Sequence, residues 1–566
     1  MLPIVFLLTA AALWAANADL ILFNGKIITV DSKFSIAQAV AVKAGKITAV
    51  GNTKEVVAAE RGPRTQQIDL KGRAVLPGLV DSHVHPVSAG LSEFRGPLGP
   101  LDSFGAIQDF IRERMKSTPK GSWIVVPRTF PTRLKELRMP TREVLDVASE
   151  HPVMFDASYT VVVNSLALRL SGIGRDTPHP ANGEIVKDPR GEPNGILKNG
   201  QSLLKGLDRN EGFTEAEKLE ALEKMLRLYL GAGLTAVGDR HVSPAEIAMY
   251  EKLKAEKRLP IRVVLTWRID ASRPVEELIR QIRAAPYATG KGDGWLKFGA
   301  LKVTLDGGMT IGTAYQRAPY GPFARQLYGH TNPKDRGLLF IATEKLAQIV
   351  RAGHARGWQL TAHDQGGGAI DAFLDALEAA EAVRPVAAGR SHLMHASFQS
   401  PEAIARAKKL GLLIDAQSPW LHYDGHGLEK VFAGEGMRYF YPMRSYLDAG
   451  LMVAGGSDHM IGHDKNRAVN PYNPFLLMWI AVTRQTDRGT PLHPEQKITR
   501  EEALKTHTIW AAYMQFAETE RGSIEPGKLA DLVVIDRDFL SCPEEEIKSI
   551  EPEMVVLDGK VVFERR

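Results

Sequence analysis

Two histidines at the end of an apolar stretch are the side chains of this sequence best suited to chemistry. His83 and His85 close the segment LPGLVDSHVHP (residues 76–86). Side chains at positions i and i+2 of a β-strand project to the same face, so the two imidazoles converge. Pro86 stops the strand directly after them. Because two converging imidazoles can hold one divalent ion, we predict a metal site at the end of this strand.

Other short apolar runs also end in polar side chains. Histidines follow such runs at His363 and His395, and an aspartate follows another at Asp458. Imidazole and carboxylate groups are metal ligands, and Asp458 can in addition accept a proton from water. His392 and His395 are spaced i, i+3 and face opposite sides of a strand, so we expect only His395 to reach the site.

Lys302 is a lysine inside the otherwise apolar run LKVTLDG (residues 301–307). A buried lysine near cations has a lowered pKa, so its amine is neutral and nucleophilic. Such an amine can capture carbon dioxide as a carbamate, an anion that bridges two metal ions. The alternative is a surface lysine whose stem lies along apolar neighbours, as we expect for Lys297.

The elements that must position these residues alternate in type. Segments with helical periodicity separate short apolar runs at 74–80, 234–237, 261–267, 296–303, 358–362, 392–394, 411–414 and 451–454. Apolar strands that alternate with amphipathic helices predict an α/β fold with a parallel sheet, and this number of strands predicts a (β/α)8 TIM-type barrel. The active site of such a barrel lies at the carboxyl ends of its strands, where the candidate residues fall.

The remaining segments predict two additions to the barrel. The stretch from about 88 to 200 is too long for one connection, so we interpret it as a lid inserted after barrel strand 1. Both chain ends show β-rich runs around tight turns, such as Asp558-Gly559. We therefore predict a small β-sandwich built from residues 19–75 and 518–566, around a barrel over residues 76–517.

Residues 1–18 have the pattern of a signal peptide. An uncharged apolar stretch over residues 2–14 precedes Ala16-Asn17-Ala18, a small-x-small cleavage site. The first basic residue is Lys26, so an uncleaved anchor and a misplaced start codon are the alternatives. We expect export to the periplasm or the medium, and no membrane contact of the mature form.

The composition excludes several kinds of partner and site. The 566 residues are 44% hydrophobic and 24% charged, as in ordinary globular proteins. The net charge of +5 is not gathered into a basic stripe, which argues against nucleic acid as a partner. The single cysteine, Cys542, excludes an intrachain disulfide and a cysteine-based zinc site. Its turn-like segment lies far from the other motifs, which argues against a catalytic role.

Taken together, these motifs resemble the amidohydrolase superfamily, in particular the amidohydrolase family 3 branch that includes N-substituted formamide deformylases. The resemblance spans residues 19–566. It rests on PGLVDSHVHP (77–86), KVTLDG (302–307), the segments around His363 and His395, GSD (456–458) and GSIEPGKLADLVV (522–534). It implies a metal-dependent hydrolase of non-peptide C–N bonds, with an amide, formamide or N-acyl amine as its small-molecule substrate.

The resemblance also implies roles for the candidate residues. Carried over position by position, the metal ligands are His83, His85, Lys302, His363, His395 and Asp458. The first-strand histidines and Asp458 would hold one ion, His363 and His395 a second, and a carbamylated Lys302 would bridge them. The expected metal is zinc, as one or two ions. Asp458 would also be the catalytic proton carrier.

Three departures from the family pattern concern the substrate rather than the metal. Relatives often have Glu where this chain has Met394, and many have His where it has Tyr159. The loop Asp364-Gln365-Gly366 also differs from the usual turn. Residues that could shape the substrate pocket are Trp420, Tyr423, Phe432, Tyr439, Phe440, Tyr441 and Tyr472, with Arg438, Arg444 or Lys465 as carboxylate binders.

Other functions remain open at this point. A deaminase, a lactonase or a cyclic-imide hydrolase could use the same metal scaffold. A non-catalytic exported binding protein on a decayed barrel is a further alternative, although no ligand residue has been lost. The natural substrate, the metal and the oligomeric state, a homodimer included, are not determined by the sequence.

Overall fold

The structure is a computed structural model, and it describes residues 17–207, 212–432 and 435–565. Residues 1–16 of the predicted signal peptide lie outside the described residues, so export stays a prediction. In the part of the chain that is described, no helix combines the length and the apolar character needed to cross a membrane.

The amino-terminal segment contributes strands to two different sheets. Its elements are β1 (Leu20–Phe23), β2 (Lys26–Ile28), β3 (Ile36–Ala37), β4 (Ala39–Lys43), β5 (Lys46–Gly51), α1 (Thr53–Glu60), β6 (Gln66–Asp69) and β7 (Ala74–Pro77). One sheet has the order β5-β4-β1-β6, whereas β2, β3 and β7 belong to a second sheet. Alternating small and β-branched residues, as in β4, pack one face of these strands into a core.

A break at Gly78 separates this segment from the barrel. The sequence predicted one strand over residues 74–80, but the structure has two, because β7 ends before the glycine and β8 (Leu79–Val84) belongs to the barrel. The Gly78 N–H donates to the carbonyl oxygen of Asp531 at 2.7 Å. A Cβ atom at position 78 would lie 2.2 Å from Oγ1 of the buried Thr235, so a side chain has no room here.

The insertion after the first barrel strand has a sheet of its own. Its elements are α2 (Pro86–Ser92), α3 (Phe104–Met115), β9 (Ile124–Val126), α4 (Arg142–Leu145), β10 (Val153–Ala157), β11 (Thr160–Val163), α5 (Ser165–Ser171), β12 (Glu184–Lys187) and β13 (Pro193–Lys198). The strands form a mixed sheet in the order β12-β13-β11-β10-β9. A tight turn at Ser158 and Tyr159 joins β10 to β11 in an antiparallel hairpin.

The barrel predicted from the alternating pattern is confirmed. Within the described residues, eight parallel strands form one sheet in the order β20-β19-β18-β17-β16-β15-β14-β8. After β8 the elements are α6 (Glu215–Gly231), β14 (Leu234–Val242), α7 (Pro244–Ala255), β15 (Arg262–Arg268), α8 (Val275–Ala284), β16 (Leu296–Thr304), α9 (Ala324–Tyr328), α10 (Thr343–Ala355), β17 (Gln359–Asp364), α11 (Gly367–Glu381), β18 (His392–His395), α12 (Pro401–Lys409), β19 (Leu413–Gln417), α13 (Pro419–Val431), α14 (Glu435–Arg438), α15 (Met443–Asp448), β20 (Val453–Gly456), α16 (Pro474–Thr483), α17 (Arg500–Thr506) and α18 (Ile509–Met514).

Main-chain hydrogen bonds close this sheet between its first and last strands. The Asp458 N–H donates to the carbonyl oxygen of His83 at 2.8 Å, and the His85 N–H donates to that of His459 at 2.8 Å. The backbones of His83, His85 and Asp458 therefore close the barrel, and their side chains start from fixed relative positions.

The carboxyl-terminal segment returns to the amino-terminal one. Strands β21 (Leu532–Ile535), β22 (Pro552–Leu557) and β23 (Lys560–Glu564) complete the second sheet, in the order β23-β22-β21-β7-β2-β3. Side chains of both sheets, such as Leu22 and Val534, share one hydrophobic core. The strands of the two chain ends thus form a single two-layered β-domain.

A buried ion pair joins this β-domain to the barrel. Arg262 of β15 donates from Nε and Nη2 to the two carboxylate oxygens of Asp531, at 2.7 and 2.9 Å. Each side chain is only 2% exposed. Because an unpaired buried charge is costly, this bidentate contact specifies one docking position of the two domains.

Candidate metal centre

The carboxyl ends of the barrel strands surround a cavity of about 320 Å³. Its lining includes the six residues expected to form the site, His83, His85, Lys302, His363, His395 and Asp458. These side chains come from different strands, and His85 and Asp458 are 373 positions apart in the chain. They meet because all parallel strands of a closed barrel end at the same rim.

Three of these side chains have the arrangement of a metal site. Nε2 of His83 and Nε2 of His85 lie 3.3 and 3.1 Å from the same Oδ1 atom of Asp458. One ligand atom from each residue falls within 4.8 Å of the other two. Nε2 of His83 is buried and, among the described residues, has no hydrogen-bond partner. A buried ring nitrogen without a partner, beside a second imidazole and a carboxylate, fits a divalent metal ion.

The surroundings favour the protonation states that bind metal. Burial lowers the pKa of the His83 imidazole well below its ordinary value, so the ring is neutral. Burial by itself raises the pKa of Asp458, but the nearby His83 and the hydrogen bond to His85 lower it further than burial raises it. The result is an ionised carboxylate next to a neutral imidazole, as metal coordination requires.

Two of the candidate ligands have unusual backbone conformations. The φ angle is 68° at His395 and 55° at Asp458, both in the left-handed region. This conformation is unfavourable for residues with a side chain, and it persists where the surrounding structure imposes it, often at functional sites. At His395 it also interrupts the strand alternation, so the direction of this ring does not follow from the spacing to His392.

His363 and His395 line the other side of the cavity. Their ring centroids are 4.6 Å apart, and the ring of His395 lies 5.0 Å from that of His83. Nδ1 of His363 donates to Oδ1 of Asp306 at 2.8 Å, and Nδ1 of His395 donates to Oε1 of Gln417 at 2.7 Å. A proton held on Nδ1 leaves the lone pair on Nε2, which is the atom that a metal needs.

Lys302 faces the cavity from β16 and is only 2% exposed, which rules out the surface alternative. Burial lowers its pKa to about 8, although Asp458 and Asp415 act in the opposite direction. In a fraction of the molecules the Lys302 amine is therefore neutral near pH 8. The expectation for Lys297 was wrong, since this lysine is also buried and its Nζ donates to the carbonyl oxygen of Phe516 at 3.2 Å.

The insertion, predicted from the sequence as a lid, supplies a wall of the cavity, but most of the residues that form this wall were not predicted. The lining residues within or directly next to the insertion are Ser88, Arg128, Phe130, Ser158, Tyr159 and Gln201. The ring of Tyr159, at the tip of the β10–β11 hairpin, packs edge-on against His363 with centroids 5.2 Å apart. The sequence analysis named Tyr159 only as an expected departure from the family pattern, and its contact with His363 was not predicted.

An ion pair holds the tip of this hairpin in place. Nε and Nη2 of Arg128 donate to Oδ2 of Asp156 at 3.2 and 3.0 Å. Oδ1 of Asp156 accepts the backbone N–H of Ser158 at 2.6 Å, and Ser158 has a φ angle of 75°. The turn that presents Tyr159 to the cavity is thus fixed by a charged side chain behind it.

Most of the residues proposed to shape the pocket lie elsewhere. Of the aromatic candidates, Trp420 is the one found among the described lining residues, and its Nε1–H donates to Oδ2 of Asp458 at 3.1 Å. Arg444 pairs with Glu502 at 2.8 Å, and Lys465 pairs with Glu551. These two cations are engaged outside the cavity lining.

Polar residues at other strand ends were also overlooked. His241 follows the apolar part of β14 and lines the cavity, with its ring centroid 6.0 Å from that of His85. The rule that selected the other histidines, a polar residue after an apolar run, would have found it. Asp415 and Gln417 of β19 contact the candidate ligands. Asp415 directly follows the apolar run 411–414, so the same rule would have found it, whereas Gln417 carried no such signal.

Comparison with known proteins identifies relatives over the full length of the chain. A model of the amidohydrolase family matches residues 66–563. The chain is 31% identical over 559 residues to the N-substituted formamide deformylase of Arthrobacter pascens, covering 97% of this chain and 98% of that protein.

Solved structures show the same fold at lower sequence identity. An uncharacterized metal-dependent hydrolase from Pyrococcus furiosus has a TM-score of 0.67 and 22% identity, over 92% of this chain and 100% of that one. The atrazine chlorohydrolase TrzN from Arthrobacter aurescens TC1, complexed with zinc, has a TM-score of 0.53 and 17% identity, over 96% and 95% of the two chains.

Replacing one imidazole of the three-residue group tests the metal centre. We expect His85→Asn to weaken zinc binding by roughly tenfold or more, because one of three converging ligands is lost. Zinc per chain, measured by elemental mass spectrometry after chelation and dialysis against a zinc buffer, reports this change. The matched control is His241→Asn, which removes a cavity histidine outside the group and should leave the zinc content unchanged. Full zinc retention by His85→Asn would contradict the assignment.

Proposed function

The chain belongs to the amidohydrolase family and is a metal-dependent hydrolase of C–N bonds, and we propose that it hydrolyses a small neutral amide of the formamide or N-acyl amine type. The observation that carries this proposal is the group of His83, His85 and Asp458 in a cavity with aromatic walls. Such a group binds a divalent ion next to the place where a substrate carbonyl would lie.

We propose zinc as the metal, because nitrogen ligands with one carboxylate suit this ion. His83, His85 and Asp458 would hold the first ion, and His363 and His395 a second. When bound, the metal acts as a Lewis acid on the carbonyl group and lowers the pKa of water.

Asp458 is the group placed to move a proton. Its pKa lies below the ordinary range, so the carboxylate is ionised and can accept a proton from the attacking water. The Nε1–H of Trp420 holds its Oδ2 atom at 3.1 Å and fixes the orientation of the carboxylate. After the C–N bond breaks, the same carboxyl group would deliver the proton to the leaving nitrogen.

The lining of the cavity supports a neutral substrate with an apolar nitrogen substituent. Phe130, Trp420 and Met460 present aromatic and apolar surface. Among the described lining residues, Asp458 is the only carboxylate, so a cationic amine would find no free counter-charge. The guanidinium of Arg128 is already paired with Asp156. A volume of about 320 Å³ is at the small end for ligand pockets, which favours a small acyl group.

Tyr159 is placed to donate a hydrogen bond to the substrate carbonyl oxygen. Burial raises the pKa of its phenol, so the hydroxyl keeps its proton at neutral pH. The hairpin turn, fixed by Asp156 and Arg128, holds the ring against His363. A fixed donor in a water-poor site stabilises negative charge that develops on this oxygen.

The substrate class can be tested with a chromogenic pair of anilides. We expect the full chain with zinc to release 4-nitroaniline from 4-nitroformanilide faster than from 4-nitroacetanilide, since the small cavity favours the smaller acyl group. Asp458→Asn should abolish release from both. The proposal would be contradicted if neither anilide released 4-nitroaniline while aminopurines released ammonia or lactones were opened. That result would favour another reaction on the same scaffold.

Removing one hydroxyl tests the carbonyl contact. We expect Tyr159→Phe to lower kcat on 4-nitroformanilide by about 10²-fold with little change in KM, because the contact is made mainly in the transition state. Tyr287→Phe, outside the cavity, is the control for loss of a tyrosine hydroxyl. Unchanged kcat in the Tyr159 variant would exclude this role.

The carbamate on Lys302 can be observed directly. The buried side chain and the pKa of about 8 support a neutral amine that captures carbon dioxide. After incubation with zinc and ¹³C-bicarbonate, we expect a carbamate carbon signal in the NMR spectrum of the wild type that is missing from Lys302→Gln. A wild type that binds two zinc ions without this signal would rule out the modification.

A further inference from the structure

The seventh barrel strand carries two polar side chains for which the reaction described above has no role. Asp415 and Gln417 lie on β19, and both are 0% exposed. Their i, i+2 spacing places them on the same side of the strand. A carboxylate and an amide in a barrel interior are costly unless they are fully hydrogen-bonded, so their partners should account for their presence.

The neighbours of Gln417 fix the orientation of its amide group. Nε2 donates to the main-chain oxygen and to Oδ1 of Asp415, at 2.9 and 3.1 Å, while Oε1 accepts from Nδ1 of His395 at 2.7 Å. The nitrogen has two hydrogens, and both are used on Asp415, although Nε2 also lies 3.2 Å from Nδ1 of His83. The oxygen must therefore face His395, which places the proton of that ring on Nδ1.

Asp415 holds the amide of Gln417 and also lies close to His83. Its Oδ1 accepts the hydroxyl of Ser82 at 2.6 Å, and its Oδ2 lies 3.2 Å from Nε of Arg240 and 3.5 Å from Nδ1 of His83. The guanidinium of Arg240 that faces this carboxylate is itself buried. Among the described residues, Oδ2 has no hydrogen-bond partner, so Asp415 is linked to the candidate ligands through its Oδ1 atom and the amide of Gln417.

We propose that Gln417 is a positioning residue that selects the metal-binding tautomer of His395, and that Asp415 holds the amide of Gln417 in the required orientation. The hydrogen bonds from Gln417 to Asp415 keep the amide oxygen directed at the ring of His395. The inference rests on the proposed metal-dependent function. It means that the seventh strand, which provides no metal ligand, orients a ligand that another strand provides.

The chain offers a matched control for a test of Gln417. Gln359 is a second fully buried glutamine on a barrel strand, β17, and its Nε2 donates to the main-chain oxygens of Arg390 and Met514 at 2.9 and 3.0 Å. It contacts none of the candidate ligands through these hydrogen bonds. Replacing either glutamine by alanine removes the same atoms from the barrel, but only one replacement frees the ring of His395.

Zinc affinity of the full chain, measured by competition with a chromophoric chelator, is the decisive quantity. We expect Gln417→Ala to bind zinc roughly tenfold to hundredfold more weakly than the wild type, since partners of metal ligands have effects of this size. Gln359→Ala should bind zinc as the wild type does. We expect Gln417→Glu to bind more tightly than Gln417→Ala, because a carboxylate still accepts the proton of His395.

Urea unfolding separates a change in metal binding from a change in folding. We expect similar midpoints for the two metal-free alanine variants, and a zinc-induced rise of the midpoint that is much smaller in Gln417→Ala than in Gln359→Ala. Equal zinc affinities and equal rises in the two variants would overturn the inference. A wild type that binds no zinc or other divalent ion would instead overturn the metal-dependent function itself.

Discussion

The closure of the barrel between its first and eighth strands is the interaction on which the site depends. The backbone of Asp458 bonds to that of His83, and the backbone of His85 bonds to that of His459. The residues that close the sheet are therefore the ones whose side chains converge on one point. A cavity defined by main-chain hydrogen bonds keeps its side-chain geometry without help from a flexible loop, which is what a metal centre needs.

The cavity is lined by two parts of the chain, the barrel and the insertion after its first strand. The barrel provides the imidazoles and the carboxylate, and the insertion provides the opposite wall, with Tyr159 at the tip of a hairpin. The wall is held by the ion pair of Arg128 and Asp156 rather than by the barrel sheet. Tyr159 lies in this wall and comes from a different part of the chain than the candidate ligands, so the wall can change while those ligands stay the same.

Burial is the common physical cause of the protonation states in the site. It lowers the pKa of His363 and His395 to about 3 and keeps both rings neutral. Burying these polar groups is unfavourable, and the fold offsets the cost with partners behind each ring, Asp306 for His363 and Gln417 for His395. The left-handed backbone at His395 and Asp458 is a further cost that the packed barrel end imposes.

The sequence by itself determined the fold class and predicted that six residues share one site. Both predictions follow from the alternation of apolar strands with helices. Apolar strands that alternate with helices predict a parallel sheet, and eight of them predict a barrel. The carboxyl ends of barrel strands converge, so polar residues after the apolar runs, such as His363 and Asp458, share a site. Only the tertiary structure decided the break at Gly78 and the entry of Tyr159 into the cavity. It alone also showed the contacts of Asp415 and Gln417 with the histidines. These features depend on the room beside Thr235, on the docking of a separate sheet, and on side-chain contacts across the barrel. Such long-range packing leaves no periodic signal in the chain.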